Sequence, residues 1–260
     1  MNKIILFSSI AALGLSSSQA ATVVRVDFGS KDTAGSVNIH KGDANVAKQL
    51  GSIAGTVTLN TSGLRDLDVS GWWEDLHGTP AGHPYADTEK DGLAIVHGGN
   101  GTTTPIVITF SGLSAGTYSM EVLSGFYGGN WIGGNLKFAF SGEGTDTSTT
   151  DWSSSIVNKG DNGVWHTSAT ATDSSSLTCP TVNYQNNNTK DQGALVNASD
   201  IIVSENGTLT LTISSDSGAY PINVINNIIL TKNDQSVPEA STATLSLLAL
   251  AGLMLRRRRN

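Results

Sequence analysis

The feature that most limits what this chain can fold into is an alternation. Apolar residues fall on every second position in short runs, and the runs are separated by Gly, Ser, Asn and Asp. Val24, Val26 and Phe28 alternate with Val23, Arg25 and Asp27. Ile106/Ile108/Phe110, Tyr118/Met120/Val122, Leu136/Phe138/Phe140 and Leu209/Leu211/Ile213 repeat the pattern. Successive side chains of a strand point to opposite faces, so a period of two gives each segment one apolar and one polar face. Such segments are stable only when their apolar faces meet, which argues for an all-β fold, a single antiparallel β-sandwich. Residues 222–230 read as the closing strand. One short helix is expected at residues 43–50, with Asp43 capping the first turn and Gly51 ending it. The Ser/Thr/Asp-rich stretches at 142–155 and 167–178 read either as long surface loops or as strands with weak signals. No repeat of fixed period is present.

The two ends do not share this alternation. Lys3, the mostly apolar run 4–15 and the small residues around Ser18-Gln19-Ala20 have the form of a secretory signal peptide cleaved after Ala20. At the other end, residues 240–255 would make an apolar helix of roughly 24 Å, short of the ~30 Å hydrocarbon layer, before Arg256, Arg257, Arg258 and Arg259 stop translocation. Read alone, this is a weak membrane anchor. The order of Val237-Pro238-Glu239-Ala240, a marginal apolar helix and a terminal arginine cluster resembles the PEP-CTERM sorting signal, and the resemblance covers Val237 to Arg259. Ala240 stands where that family has a second proline, a departure that bears on processing. The resemblance implies an exosortase partner, a membrane-embedded transpeptidase-like enzyme of Gram-negative bacteria. It also implies transient residence in the inner membrane through the C-terminal helix, then delivery to the cell surface or extracellular matrix. The expected division is therefore a signal helix at 1–20, a β-sandwich at 21–233 and a transmembrane sorting helix within 234–260.

A little over 210 residues between the ends suit one β-rich domain with a sizeable core. The chain has 22 acidic and 15 basic residues; without Glu239, Lys3 and the four terminal arginines these fall to 21 and 10. A balance near −11 argues against nucleic acid and anionic membrane as partners. Cys179 is the one cysteine, so no intramolecular disulfide forms, and a small buried hydrophobe is the expected role.

Three stretches, "VRVDFGS", "VITFSGLSAGTYSMEVLSG" and "GTLTLTISS" followed by "VINNIILTK", look like the jelly-roll sandwiches of galactose-binding-like and malectin-like carbohydrate-binding modules. The resemblance touches the first, central and last strands, and it implies a glycan or exopolysaccharide as partner. The residues themselves point to loops. The segment "GWWEDLHGTPAGHPYADTEKDGLAIVHGGNG" concentrates Trp72, Trp73, His77, His83, His97 and five carboxylates in a Gly/Pro-broken stretch. An indole beside open glycines can stack on the C–H face of a sugar while neighbouring Asn and Asp bond its hydroxyls. Trp72, Trp73, Trp131 and Trp165 are the ligand-binding candidates, and the alternative for each is that it closes an open end of the sandwich. Asp87, Glu89 and Asp91 have the hard oxygen ligands of a structural calcium, but counted from Asp87 the twelfth position is Gly98, so a solvated turn is the competing reading and no cofactor is otherwise expected. His77, His83, His97 and Asp87 as a zinc set, or Glu74, Asp75 and Glu89 as a glycosidase pair, lack a diagnostic spacing. The sequence therefore favours an exported, non-catalytic carbohydrate-binding sandwich. A structural matrix protein of the same fold is the alternative, and a polysaccharide hydrolase comes third.

Overall fold

The computed structural model describes residues 21–68, 91–96, 104–125, 130–158, 166–167, 170–185, 192–215 and 222–233. These belong to one compact unit, Ala21–Asn233. They are almost entirely strand. The first sheet contains β1 (Thr22–Phe28), β2 (Val37–Ile39), β8 (Gly116–Gly125), β10 (Thr145–Asp146), β11 (Asp151–Asn158), β12 (His166–Thr167), β15 (Gln192–Val203) and β18 (Asn227–Asn233). Its order is β12-β11-β15-β8-β18-β1-β2, with β10 also on β15. The second contains β3 (Ala47–Gln49), β4 (Thr56–Leu59), β7 (Ile106–Leu113), β9 (Asn130–Ser141), β13 (Thr170–Asp173), β14 (Ser176–Gln185) and β16 (Gly207–Ser215), in the order β13-β14-β9-β16-β7-β4-β3. A small third sheet runs β17-β6-β5, from β5 (Arg65–Asp68), β6 (Asp91–Val96) and β17 (Ile222–Ile225). Every pairing is antiparallel except β1 with β2.

The alternation decides which face of each strand is buried. Val26, Phe28, Ile106, Ile108, Phe110, Tyr118, Phe138, Leu209, Leu211 and Ile213 are fully buried in one continuous core fed by both large sheets. The sheets meet directly where Phe140 of β9 stacks on Trp152 of β11, with ring centroids 4.6 Å apart and planes 24° apart. The indole Nε1 of Trp152 also donates to the Ser174 carbonyl in the β13–β14 turn, 2.9 Å away. Trp152 thus ties one sheet to the other at the margin of the core.

Tyr118 fixes the β7–β8 corner. Its buried ring sends the hydroxyl back to the Ser114 carbonyl, 2.7 Å away. This is the logic of a tyrosine corner, in which a core ring anchors the turn that precedes it. Gly112, at φ +69, supplies the left-handed bend that ends β7 just before its last residue.

Two sequence expectations change, and one that was open is decided. Residues 43–50 do not form an α-helix: a 3₁₀ turn spans Lys41–Asp43, and β3 follows. The Asp43 carboxylate accepts from the His40 backbone N–H at 2.8 Å and from the Lys48 ammonium. It therefore closes a local turn, the use of a short polar side chain that competes with helix propagation. The closing segment is two strands, not one. Asn226 interrupts it: its N–H goes to the Leu123 carbonyl, its own carbonyl takes the Phe28 N–H, and its side-chain oxygen takes the Gly125 N–H at 2.7 Å. The chain can thereby leave the third sheet and enter the first. Finally, 142–155 and 167–178 carry β10, β11, β13 and the start of β14, so the weak-strand reading of these stretches is the correct one. No helix among the described residues is long and apolar enough to cross a membrane. The signal and sorting segments, residues 1–20 and 234–260, lie outside the described residues.

Candidate functional site

The polar halves of four neighbouring strands build a concavity on the outward face of the first sheet. Strand pairing places Ser153 (β11) opposite Asn197 (β15), Asn197 opposite Glu121 (β8), and Glu121 opposite Ile229 (β18). Two residues along, Asp151 faces Ser199, and Ser119 faces Thr231. These eight side chains line a groove of about 340 Å³. Their strand neighbours Met120, Ala198, Ile228 and Leu230 point the other way, into the core.

The groove has an apolar floor and polar walls. Ile229 is 8% exposed and packs with Leu123 and Leu195 in a small cluster separate from the main core. Around it, Ser119, Glu121, Asp151, Ser153, Asn197 and Thr231 make no side-chain hydrogen bond or ion pair with another described residue. Ser199 is the exception, its hydroxyl donating to the Asp200 carboxylate at 3.1 Å. The register of β15 against β8 slips between Ala198 and Ile201, and Asp200 adopts φ +58. Two residues of β15 thus oppose Ser119 alone. Such a bulge bends its strand and re-aims the side chains beside it, here in the wall of the groove.

Of the sequence candidates, Trp131 lies near the start of β9, opposite Tyr184, in the second sheet, no strand of which lines the groove. Asp91 opens β6 opposite Asp68. Trp72, Trp73, Trp165, Asp87, Glu89, His77, His83, His97, Glu74 and Asp75 fall outside the described residues. So do Ala20, Val237, Pro238, Glu239 and Arg256 to Arg259. Among the described residues no group of three His, Cys, Asp or Glu side chains is placed to hold a metal ion. Cys179 is fully buried, and burial pushes its thiol up to about 11, so it packs as a hydrophobe and is far from a reactive thiolate.

Sequence reasoning missed the groove. Its residues are the unremarked polar positions of the strands, and what unites them is the order β11-β15-β8-β18, a set of long-range pairings. The chain matches no family model, no curated protein and no solved structure.

Proposed function

We propose that this chain is an exported, non-catalytic carbohydrate-binding protein whose saccharide site is the groove on the outer face of the first sheet. One observation carries the reading: six polar side chains with no bonded partner among the described residues surround a single buried isoleucine in a cavity of about 340 Å³. A sugar ring has the complementary pattern, a C–H face for Ile229 and a rim of hydroxyls for Ser, Thr, Asn and carboxylate groups. The volume falls at the small end of the roughly 300–1,000 Å³ typical of ligand sites, which suits one or a few sugar units.

The finer fold reading is a jelly roll, and the strand orders support it. With the peripheral strands set aside, the sheets contain β1-β18-β8-β15 and β7-β16-β9-β14. Numbered along the chain as eight strands, this is first-eighth-third-sixth against second-seventh-fourth-fifth, the interleaving of two Greek keys. In this reading the signal peptide at 1–20 exports the chain, and the PEP-CTERM-like tail at 234–260 parks it in the inner membrane until an exosortase-type enzyme passes it to the surface or matrix. Trp72, Trp73, Trp131 and Trp165 keep the role of secondary stacking candidates, and the 87–91 turn that of a calcium candidate.

The test of binding is calorimetric titration of the full-length protein in mild detergent with a panel of oligosaccharides, with and without calcium. Heat of binding that disappears in Asn197→Ala and Ser153→Ala is the expected result. Absence of binding across the panel, or binding unaffected by both changes, overturns the assignment of the groove. For sorting, a tagged copy followed in cells with and without the sorting enzyme should change mobility and location; identical behaviour removes the sorting claim.

A further inference from the structure

The lining of the groove carries charge of one sign. Glu121 of β8 and Asp151 of β11 are its two ionisable side chains, and no lysine, arginine or histidine is among its lining residues. Among the described residues, the nearest same-face cation in register is Arg25 of β1, which lies opposite Ile229 on the far side of β18 from Glu121 and is not among the lining residues. Between the two carboxylates runs β15 with Asn197 and Ser199. Strands lie about 4.8 Å apart and rise about 3.4 Å per residue, so two strands across and two residues along separate the Glu121 and Asp151 backbones by about 12 Å. Both line the groove, with hydroxyls and an amide among the residues that share it. Among the described lining residues, no group of opposite charge faces these carboxylates.

We infer that the groove selects a saccharide bearing a free amine, an amino-sugar unit of the glucosamine type, over its N-acetylated, neutral and uronic counterparts. This rests on the carbohydrate reading above and adds the chemical class. The ring supplies hydroxyls to Ser119, Ser153, Asn197 and Thr231 and a C–H face to Ile229. The ammonium supplies the counter-charge to Glu121 and Asp151. N-acetylation removes that charge while keeping the ring, and a uronic acid reverses it. Each solvent-facing carboxylate–ammonium pair contributes up to about fivefold in affinity, so the two together favour the amine by up to about twenty-five-fold at low salt. The preference shrinks as ionic strength rises, because exposed charges are screened over about 10 Å at 0.1 M.

The deciding experiment titrates the full-length protein, in detergent and chelator, with four probes of matched length: β-1,4-glucosamine, β-1,4-N-acetylglucosamine, β-1,4-glucose and α-1,4-galacturonate oligomers. The wild type should bind the glucosamine oligomer more tightly than the N-acetylated one, by about threefold to twenty-five-fold. Glu121→Gln with Asp151→Asn should bring the ratio close to one. Glu143→Gln with Glu205→Gln removes the same charge from the turns after β9 and β15, away from the groove, and should leave the ratio unchanged. Equal affinity for the amine and N-acetyl oligomers overturns the amine assignment and leaves carbohydrate binding standing. So does a ratio that falls equally in the control pair, because net acidity alone then explains it. Failure of all four probes to bind overturns both.

Discussion

Trp152 offers the sharpest check on the packing. Its indole is 6% exposed, stacks on Phe140 at 4.6 Å and donates to the Ser174 carbonyl, so one side chain joins the two large sheets. Burying roughly 200 Å² of aromatic surface at about 25 cal/mol per Å² contributes on the order of 5 kcal/mol against an extended chain, which is an upper bound. Trp152→Ala should therefore cost about 3–5 kcal/mol, within the range of core aromatic truncations. For a domain of this size that lowers Tm by about 6–20 °C. Trp152→Phe keeps a ring against Phe140 but loses the hydrogen bond and some volume, and should cost about 1–3 kcal/mol. A double-mutant cycle with Phe140→Leu isolates the stacking, expected at about 0.5–1.5 kcal/mol. Urea denaturation followed by far-UV circular dichroism measures all three, with m required to stay constant. A cost below about 1 kcal/mol for Trp152→Ala, with m unchanged, would falsify the view that this contact fastens the sheets.

Other consequences are local. Gly142 sits at φ +150, and a Cβ built there would overlap the Thr208 carbonyl oxygen, so Gly142→Ala should destabilise by more than about 2 kcal/mol in the same denaturation assay. Asn226→Ala removes the acceptor of the buried Gly125 N–H at the junction of the third and first sheets, and a loss of about 1–3 kcal/mol is expected; a neutral outcome would show the junction to be held by its backbone bonds alone. Cys179, with its thiol raised by burial to about 11 against 9.0 for a free group, favours the folded state fully below about pH 9. That contribution is lost as pH rises through about 11, because the unfolded chain ionises first. Cys179→Ala should flatten this part of the stability profile, and the native thiol should resist alkylation at pH 8 until urea is added.

Much of the fold was legible because alternation is a local property. The positions that it placed inward, such as Phe28, Phe110 and Leu211, are those that fill the core. The misjudged elements are the ones whose conformation is settled by particular hydrogen bonds. Asp43 looks like a helix cap in sequence, yet its oxygen is used by His40 and Lys48 in a one-turn loop. Asn226 sits inside a mostly apolar run, and its partners on β1 and β8 show that the strand must stop there. Ser153 to Ser155 and Thr178 lacked apolar periodicity, although β11 and β14 are built on Trp152, Ile156, Leu177 and Cys179. Within β14 the register slips between Cys179 and Val182, the kind of irregularity that accommodates Pro180, which has no N–H for the ladder. The candidate site was the least legible part. Glu121 and Asp151 are thirty residues apart in the chain and become neighbours only through β15, which follows both.

The same strands supply core and groove from opposite faces, so substitutions on the two faces should have separable effects. Met120 and Glu121 are adjacent on β8; Met120 is 2% exposed and points into the core, whereas Glu121 faces the groove and has no bonded partner among the described residues. Met120→Ala should cost about 2–5 kcal/mol through lost contacts and the cavity left behind. Glu121→Gln, which keeps shape and removes charge, should stay within about 0.5 kcal/mol of the wild type while changing ligand preference. Measured together by thermal denaturation and calorimetric titration, the pair tests the register directly. A one-residue slip of β8 would exchange the two faces and reverse the outcome, making position 121 costly and position 120 nearly silent. The order of the two stability losses therefore distinguishes this strand pairing from the nearest alternative, independently of any ligand.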